Sequence, residues 1–129
     1  MACETILIVD DNEVNLKLAD VVLRSAGYRV VGAPDAEAAL EALSKIHPAL
    51  MLVDIQLPGM DGLELAQRVK ADEATRDIVL VALTAFAMHG DEERIRNAGC
   101  DGYISKPIDT RALPHRLREY LDGRSIAVG

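Results

Sequence analysis

Four stretches of this 129-residue chain carry side chains that could do chemistry together: Asp10-Asp11, Asp54, Thr84 and Lys106-Pro107. Each stands just beyond an apolar run of strand length, at residues 6–9, 50–53, 78–83 and 102–104 respectively. Taken singly they are bland, since an Asp opens turns, a lysine belongs on a surface and a threonine ends strands. Drawn to one rim, three carboxylates either raise one another's pKa values or share a cation. Magnesium suits them, because it takes one or two protein carboxylates and leaves positions for water and phosphate oxygens. That assigns Asp11 and Asp54 as direct ligands, with Asp10 held a little back and the backbone carbonyl of Gln56 as a further oxygen. Manganese is the alternative ion, and calcium is disfavoured because no EF-hand spacing occurs. An Asp carboxylate beside such an ion, an ammonium and a hydroxyl is equipped to attack a phosphoryl group and become an acyl phosphate. In that reading Asp54 is the phosphoacceptor, Lys106 balances charge and the Thr84 hydroxyl donates to a phosphoryl oxygen.

The elements that must position these residues are legible as alternation. Strand-like runs occur at residues 6–9, 28–31, 50–53, 78–83 and 102–104, and the third has no polar residue, as in a strand buried on both faces. Helical spacing follows each, after a loop in the case of the third. Val14, Leu18 and Val21-Val22 mark the first helix, capped by Asn12 and closed by Gly27, and Ala36, Ala39-Leu40 and Leu43 mark the second, capped by Asp35. Leu63, Ala66 and Val69 mark the third, and Leu113, Leu117 and Leu121 the fifth. The fourth has few large apolar anchors, Met88 and Ile95, and Gly90 interrupts its start. Five strand-helix units with right-handed crossovers give an α/β flavodoxin-like, doubly wound parallel sheet of order 2-1-3-4-5 with five helices. In that order the four strands with chemistry after them lie side by side. The second strand, followed by Gly32-Ala33-Pro34, lies outside.

Composition bounds the rest. One domain is expected, residues 1–122, followed by a frayed tail at 123–129. The formal net charge of -7 repels nucleic acid and anionic lipid, and no basic cluster offsets it. The N-terminal apolar stretch is too short for a signal peptide and nothing approaches a membrane span, so a cytoplasmic location is expected, with Cys3 and Cys100 reduced. His47, His89 and His115 read as surface residues, none with a metal-binding companion. Pro114 falls inside the first turns of the fifth helix if Asp109 or Thr110 is the cap, which calls for a late start or a distorted first turn.

Asp10-Asp11, Asp54 with residues 57–62, Thr84-Ala85 and Lys106-Pro107 together resemble the receiver domain of two-component response regulators over nearly the whole chain. Residues 84–96, Gly99-Cys100 and residues 103–108 are similar to single-domain cell-cycle regulators of the DivK type and to the receivers of hybrid kinases. The resemblance implies that Asp54 takes its phosphoryl group from a histidine on a sensor histidine kinase or a histidine phosphotransfer protein. It implies a cis peptide before Pro107, and tuning of phosphoryl loss by Gln56 and Phe86, the residues two beyond Asp54 and Thr84. It also implies a switch in which Thr84 moves toward the phosphoryl group and Tyr103 turns inward. The surface of the fourth helix, fifth strand and fifth helix would then change for a downstream protein partner, with the run at residues 91–94 facing it. Such a domain is a phosphoacceptor switch and not an enzyme with a separate substrate. Rival readings are an aspartyl-phosphate phosphatase, which would want an acid where Gln56 stands, and a flavodoxin-like cofactor binder, which would want a phosphate loop after the first strand. An inert, phosphorylation-independent interaction module would not need the full set of acids, hydroxyl and lysine.

Overall fold

The computed structural model describes residues 4–57, 59–85 and 90–123. Cys3, Pro58, Phe86, Met88, His89 and the tail from residue 124 onward lie outside the described residues. The strands are β1 (Thr5–Val9), β2 (Arg29–Ala33), β3 (Leu50–Asp54), β4 (Val79–Thr84) and β5 (Gly102–Ser105). Between and after them come α1 (Glu13–Ser25), α2 (Ala36–Leu43), α3 (Gly62–Ala71), α4 (Asp91–Asn97) and α5 (Leu113–Leu121). All pairings are parallel and the order is β2-β1-β3-β4-β5, as expected.

Successive strand residues point to opposite faces, so unbroken apolar runs build two cores. Leu7, Val9, Met51, Val53, Leu80 and Ala82 pack under α2, α3 and α4 through Ala39, Leu65, Val69 and Ile95. Ile6, Ile8, Leu50, Leu52, Val81 and Leu83 pack on the other face under α1 and α5, through Ala19, Leu23, Leu113 and Leu117. Burying each large aliphatic side chain contributes about 1.5–3 kcal/mol.

One helix departs from the sequence reading, and another settles an alternative that the sequence left open. In α1 three of the four residues taken as its marks, Val14, Leu18 and Val21, are 67%, 49% and 56% exposed, the fourth, Val22, is half-buried, and the buried residues are Ala19 and Leu23. At roughly 100° per residue, Val14, Leu18 and Val21 form one stripe, and Leu16, Ala19 and Leu23 form a second on the opposite side. Periodicity reports both stripes equally, and only the location of the sheet chooses between them. In α5 the helix starts late. Ala112 is its N-cap and Pro114 falls in the first turn, where a missing N–H costs nothing. Asp109 instead closes a preceding turn, accepting from the Arg111 and Ala112 N–H groups at 3.0 and 3.4 Å.

Gly90 precedes α4 as its N-cap in a left-handed conformation with no side-chain cap, and Ile95 is the buried anchor of this seven-residue helix. The edge of the sheet remote from the acids is tied by Lys70. Its ammonium donates to the carbonyls of Arg76 and Ile78 and to Asp101 Oδ2 at 3.1, 2.7 and 2.7 Å. His47 and His115 are exposed, each beside one carboxylate, Asp77 and Glu119. Burial pushes the Cys100 thiol up to about 12, with the Asp101 charge adding to it, so the thiol stays protonated and unreactive at neutral pH.

Gly62 opens α3 directly against the backbone that carries Asp54. A Cβ there would overlap the Asp54 carbonyl oxygen, and the Gly62 N–H donates to the Ile55 carbonyl at 3.2 Å. Gly62→Ala is therefore expected to lower unfolding stability by about 1–3 kcal/mol, read from urea denaturation. A midpoint equal to wild type would show that the β3–α3 joint has slack.

Candidate functional site

Asp54 ends β3 as a buried residue, 2% exposed, and its two side-chain oxygens have different partners. Oδ1 accepts the Gln56 N–H at 2.9 Å, a local turn that follows from the strand stopping there. Oδ2 accepts the Lys106 ammonium at 2.6 Å, a charge-assisted bond spanning 52 residues of sequence. The sheet register makes that contact. The Ile55 N–H donates to the Leu83 carbonyl at 3.1 Å and the Lys106 N–H to the Thr84 carbonyl at 2.8 Å, so the ends of β3, β4 and β5 stay level. The peptide between Lys106 and Pro107 is cis, as expected.

Asp10 follows β1 and is almost wholly buried, whereas Asp11 is exposed. Asp10 Oδ1 accepts the Asn12 N–H at 2.8 Å and Oδ2 the side-chain amide of Asn15 at 3.3 Å. One carboxylate oxygen from each of Asp10, Asp11 and Asp54 lies within 4.8 Å of the other two. Burial raises the Asp10 pKa most. The Asn12 hydrogen bond opposes that, the Asp54 charge adds to it, and Asn15 and Lys106 oppose it more weakly.

These residues fit a divalent cation. Three ionised carboxylates against one ammonium leave two negative charges without a partner within the cluster, which is the charge of one such ion. The donors are all oxygens, the preference of a hard cation. Gln56 lies beside the cluster, with its N–H committed to Asp54. Thr84 is buried at the end of β4, one residue beyond Leu83, which pairs with Asp54. Tyr103 is half-buried on β5 and lines an open groove with Glu92, Glu93, Arg96 and Asn97. Its carbonyl accepts from the Tyr120 hydroxyl at 2.9 Å and from the Arg116 guanidinium at 3.4 Å. Asp10, Asp11, Asp54, Gln56, Thr84 and Lys106 thus stand at or beside the carboxyl edge of the sheet, whereas Tyr103 lies two residues back along β5, level with Ala82, and Phe86 is outside the described residues. Sequence reasoning missed Asn15, although its place one turn after the Asn12 cap sets it over Asp10.

Residues 6–118 match the family described as the response regulator receiver domain. The chain belongs to that family. The polar-differentiation response regulator DivK of Brucella ovis is 44% identical over 118 residues, covering 92% of this chain and 96% of that protein. A CheY-like response regulator receiver domain protein from Methanospirillum hungatei superposes with a TM-score of 0.86 at 31% identity, covering 99% of this chain and 100% of its own. The receiver domain of sensor histidine kinase PA1611 from Pseudomonas aeruginosa, whose structure has a magnesium ion coordinated in the active site cleft, is 34% identical with a TM-score of 0.85. That match covers 94% of this chain and 99% of its counterpart. The acidic pocket of this receiver is consistent with magnesium binding and aspartyl phosphorylation, the chemistry of two-component signalling. Among its described residues no helix is long and apolar enough to cross a membrane.

A carboxyl whose folded-state pKa is raised contributes stability below its ordinary range and loses it as pH rises through the elevated value. Near neutral pH the ionised Asp10 is therefore a cost that function imposes on this receiver. Asp10→Asn is expected to be about 1 kcal/mol more stable than wild type in chelator at pH 7, with the gap closing as pH falls toward 4. Thermal unfolding across that pH range reads it, and a less stable variant at pH 7 would contradict it.

Proposed function

We propose that this receiver takes a phosphoryl group onto Asp54 from a phosphohistidine of a sensor histidine kinase or a histidine phosphotransfer protein. The observation that carries the reading is the 2.6 Å contact of Lys106 Nζ with Asp54 Oδ2 beside two further carboxylates. A carboxylate oxygen of Asp54 attacks phosphorus as the bond from the histidine nitrogen breaks, and the imidazole leaves with the electron pair and takes up a proton. Lys106 offsets charge as it spreads over the phosphoryl oxygens, and the Thr84 hydroxyl donates to one of them. Asp10, Asp11, Asp54 and the Gln56 carbonyl would hold magnesium, or manganese in its place, and the ion would supply positive charge against the phosphoryl group. Reaction and reversal by hydrolysis both occur on Asp54 itself, so the domain, residues 1–122, is a switch that turns over no separate substrate. Gln56 and Phe86 tune the lifetime of the acyl phosphate, and the protein acts in the cytoplasm.

The signal leaves through α4, β5 and α5. Thr84 ends the strand beside β5, Tyr103 lines the groove against α4, and Ile95, the one buried anchor among the described side chains of α4, leaves that helix the element most easily shifted. A downstream protein partner reads the altered surface. The incoming donor has a different surface to meet. The exposed Val14–Leu18–Val21 stripe of α1 begins three residues after Asp11, so a histidine-bearing protein that covers it brings its phosphohistidine to the acid cluster.

With acetyl phosphate and magnesium, intact-mass measurement is expected to show one phosphoryl adduct on wild type and none on Asp54→Asn. No adduct on wild type, or equal adducts on both, removes the reading. Leu18→Glu is expected to slow transfer from a phosphorylated protein donor about tenfold while leaving the acetyl phosphate rate unchanged. Equal slowing with both donors would place the effect in the site and not in docking.

A further inference from the structure

Asp10 is held on both of its oxygens by the start of one helix. The Asn12 N–H reaches Oδ1 at 2.8 Å and the Asn15 side-chain amide reaches Oδ2 at 3.3 Å. Asn12 meanwhile caps α1 through its own side chain, accepting the Val14 and Asn15 N–H groups at 2.9 and 3.1 Å. The cap of α1 is thus complete without the Asn15 side chain, whose amide donates to an acid in the cluster and not to the helix. From this arrangement we infer that Asn15 is a positioning residue for the divalent ion, acting through Asp10. The inference rests on the metal-site reading given above.

The physical argument concerns rotation and charge. The terminal torsion of an Asp side chain is broad, so burial alone does not fix where its lone pairs point. One donor on each oxygen fixes the plane, and each oxygen keeps a second lone pair for an ion or an ion's water. The donor on Oδ2 also sets a positive dipole against a carboxylate facing Asp54 and Asp11, holding the acids together before any ion arrives. Partners that orient a ligand from behind in this way tune affinity strongly. Without the Asn15 amide, Asp10 is free to rotate away from its acidic neighbours, and part of the ion's binding energy goes into bringing it back.

The test is a magnesium titration of the full chain, followed by backbone amide shifts around residues 10–12 and 54–56. It compares wild type, Asn15→Ala, Asp10→Asn and the double variant. Asn15→Ala is expected to raise the magnesium Kd about tenfold, with cooperative unfolding and a melting temperature in chelator within a few degrees of wild type, because the Asn12 cap is intact and the higher helix propensity of Ala offsets part of the lost hydrogen bond. In the Asp10→Asn background the same substitution is expected to add nothing, as a residue acting through Asp10 must. An unchanged Kd in Asn15→Ala, or the same loss in both backgrounds, overturns the inference. A wild type without magnesium-dependent shifts removes the metal site itself. Wild-type binding with an unaffected Asn15→Ala removes only the role of Asn15.

Discussion

Three carboxylates and one ammonium share the carboxyl edge of this sheet, and the ammonium alone cannot balance them. Two of the acids, Asp10 and Asp54, are withdrawn almost completely from water, so the imbalance is felt in a medium that screens it poorly. The fold supplies what compensation it can. Each oxygen of the two buried carboxylates receives a hydrogen bond, three of them from the turns and helix start that follow Asp10 and Asp54 and the fourth from Lys106. What remains is a deficit of positive charge in a cluster of hard oxygen donors, the condition that favours a divalent cation, and only the charge that such an ion brings would make an anionic phosphoryl group a favourable guest in turn.

Holding that cluster is the task of the sheet. Asp54 can be buried because β3 is central and apolar on both faces, and Lys106 can reach it because the ends of β4 and β5 finish level with β3. Two cores, one under α1 and α5 and the other under α2, α3 and α4, clamp the strands from both sides. The joint is closed by Gly62, where α3 begins in contact with the Asp54–Ile55 backbone and no side chain could intervene. Rigidity beneath the acids contrasts with the seven-residue α4 above the Tyr103 groove, anchored by Ile95 and uncapped by any side chain.

Much of this was legible from residue order, for a reason particular to parallel sheets. Their strands are hydrophobic throughout and their ligand-binding residues follow the strand ends, so reading what comes after each apolar run at residues 6–9, 50–53, 78–83 and 102–104 locates the site. The failures are also particular. Val14, Leu18 and Val21 were as good a helical stripe as Leu16, Ala19 and Leu23, and periodicity holds no information on which side the sheet lies. For α5 the sequence left a late start and a distorted first turn both open, because Pro114 is compatible with either, and the structure has the late start, with Asp109 closing the turn before the helix. Asn15 was passed over because its partner is an acid five residues away, reached only when the turn after β1 folds back.

Residue order by itself determined the element sequence, the strand-end placement of Asp10, Asp11, Asp54, Thr84 and Lys106, and the excess of acid over base, because these depend on local hydrophobic pattern and on composition. Tertiary structure alone decided that Lys106 meets Asp54 across 52 residues, that one face of α1 stays in water, and that Asn15 stands behind Asp10. Those outcomes depend on register and on the packing of helices against a sheet, which no single segment encodes.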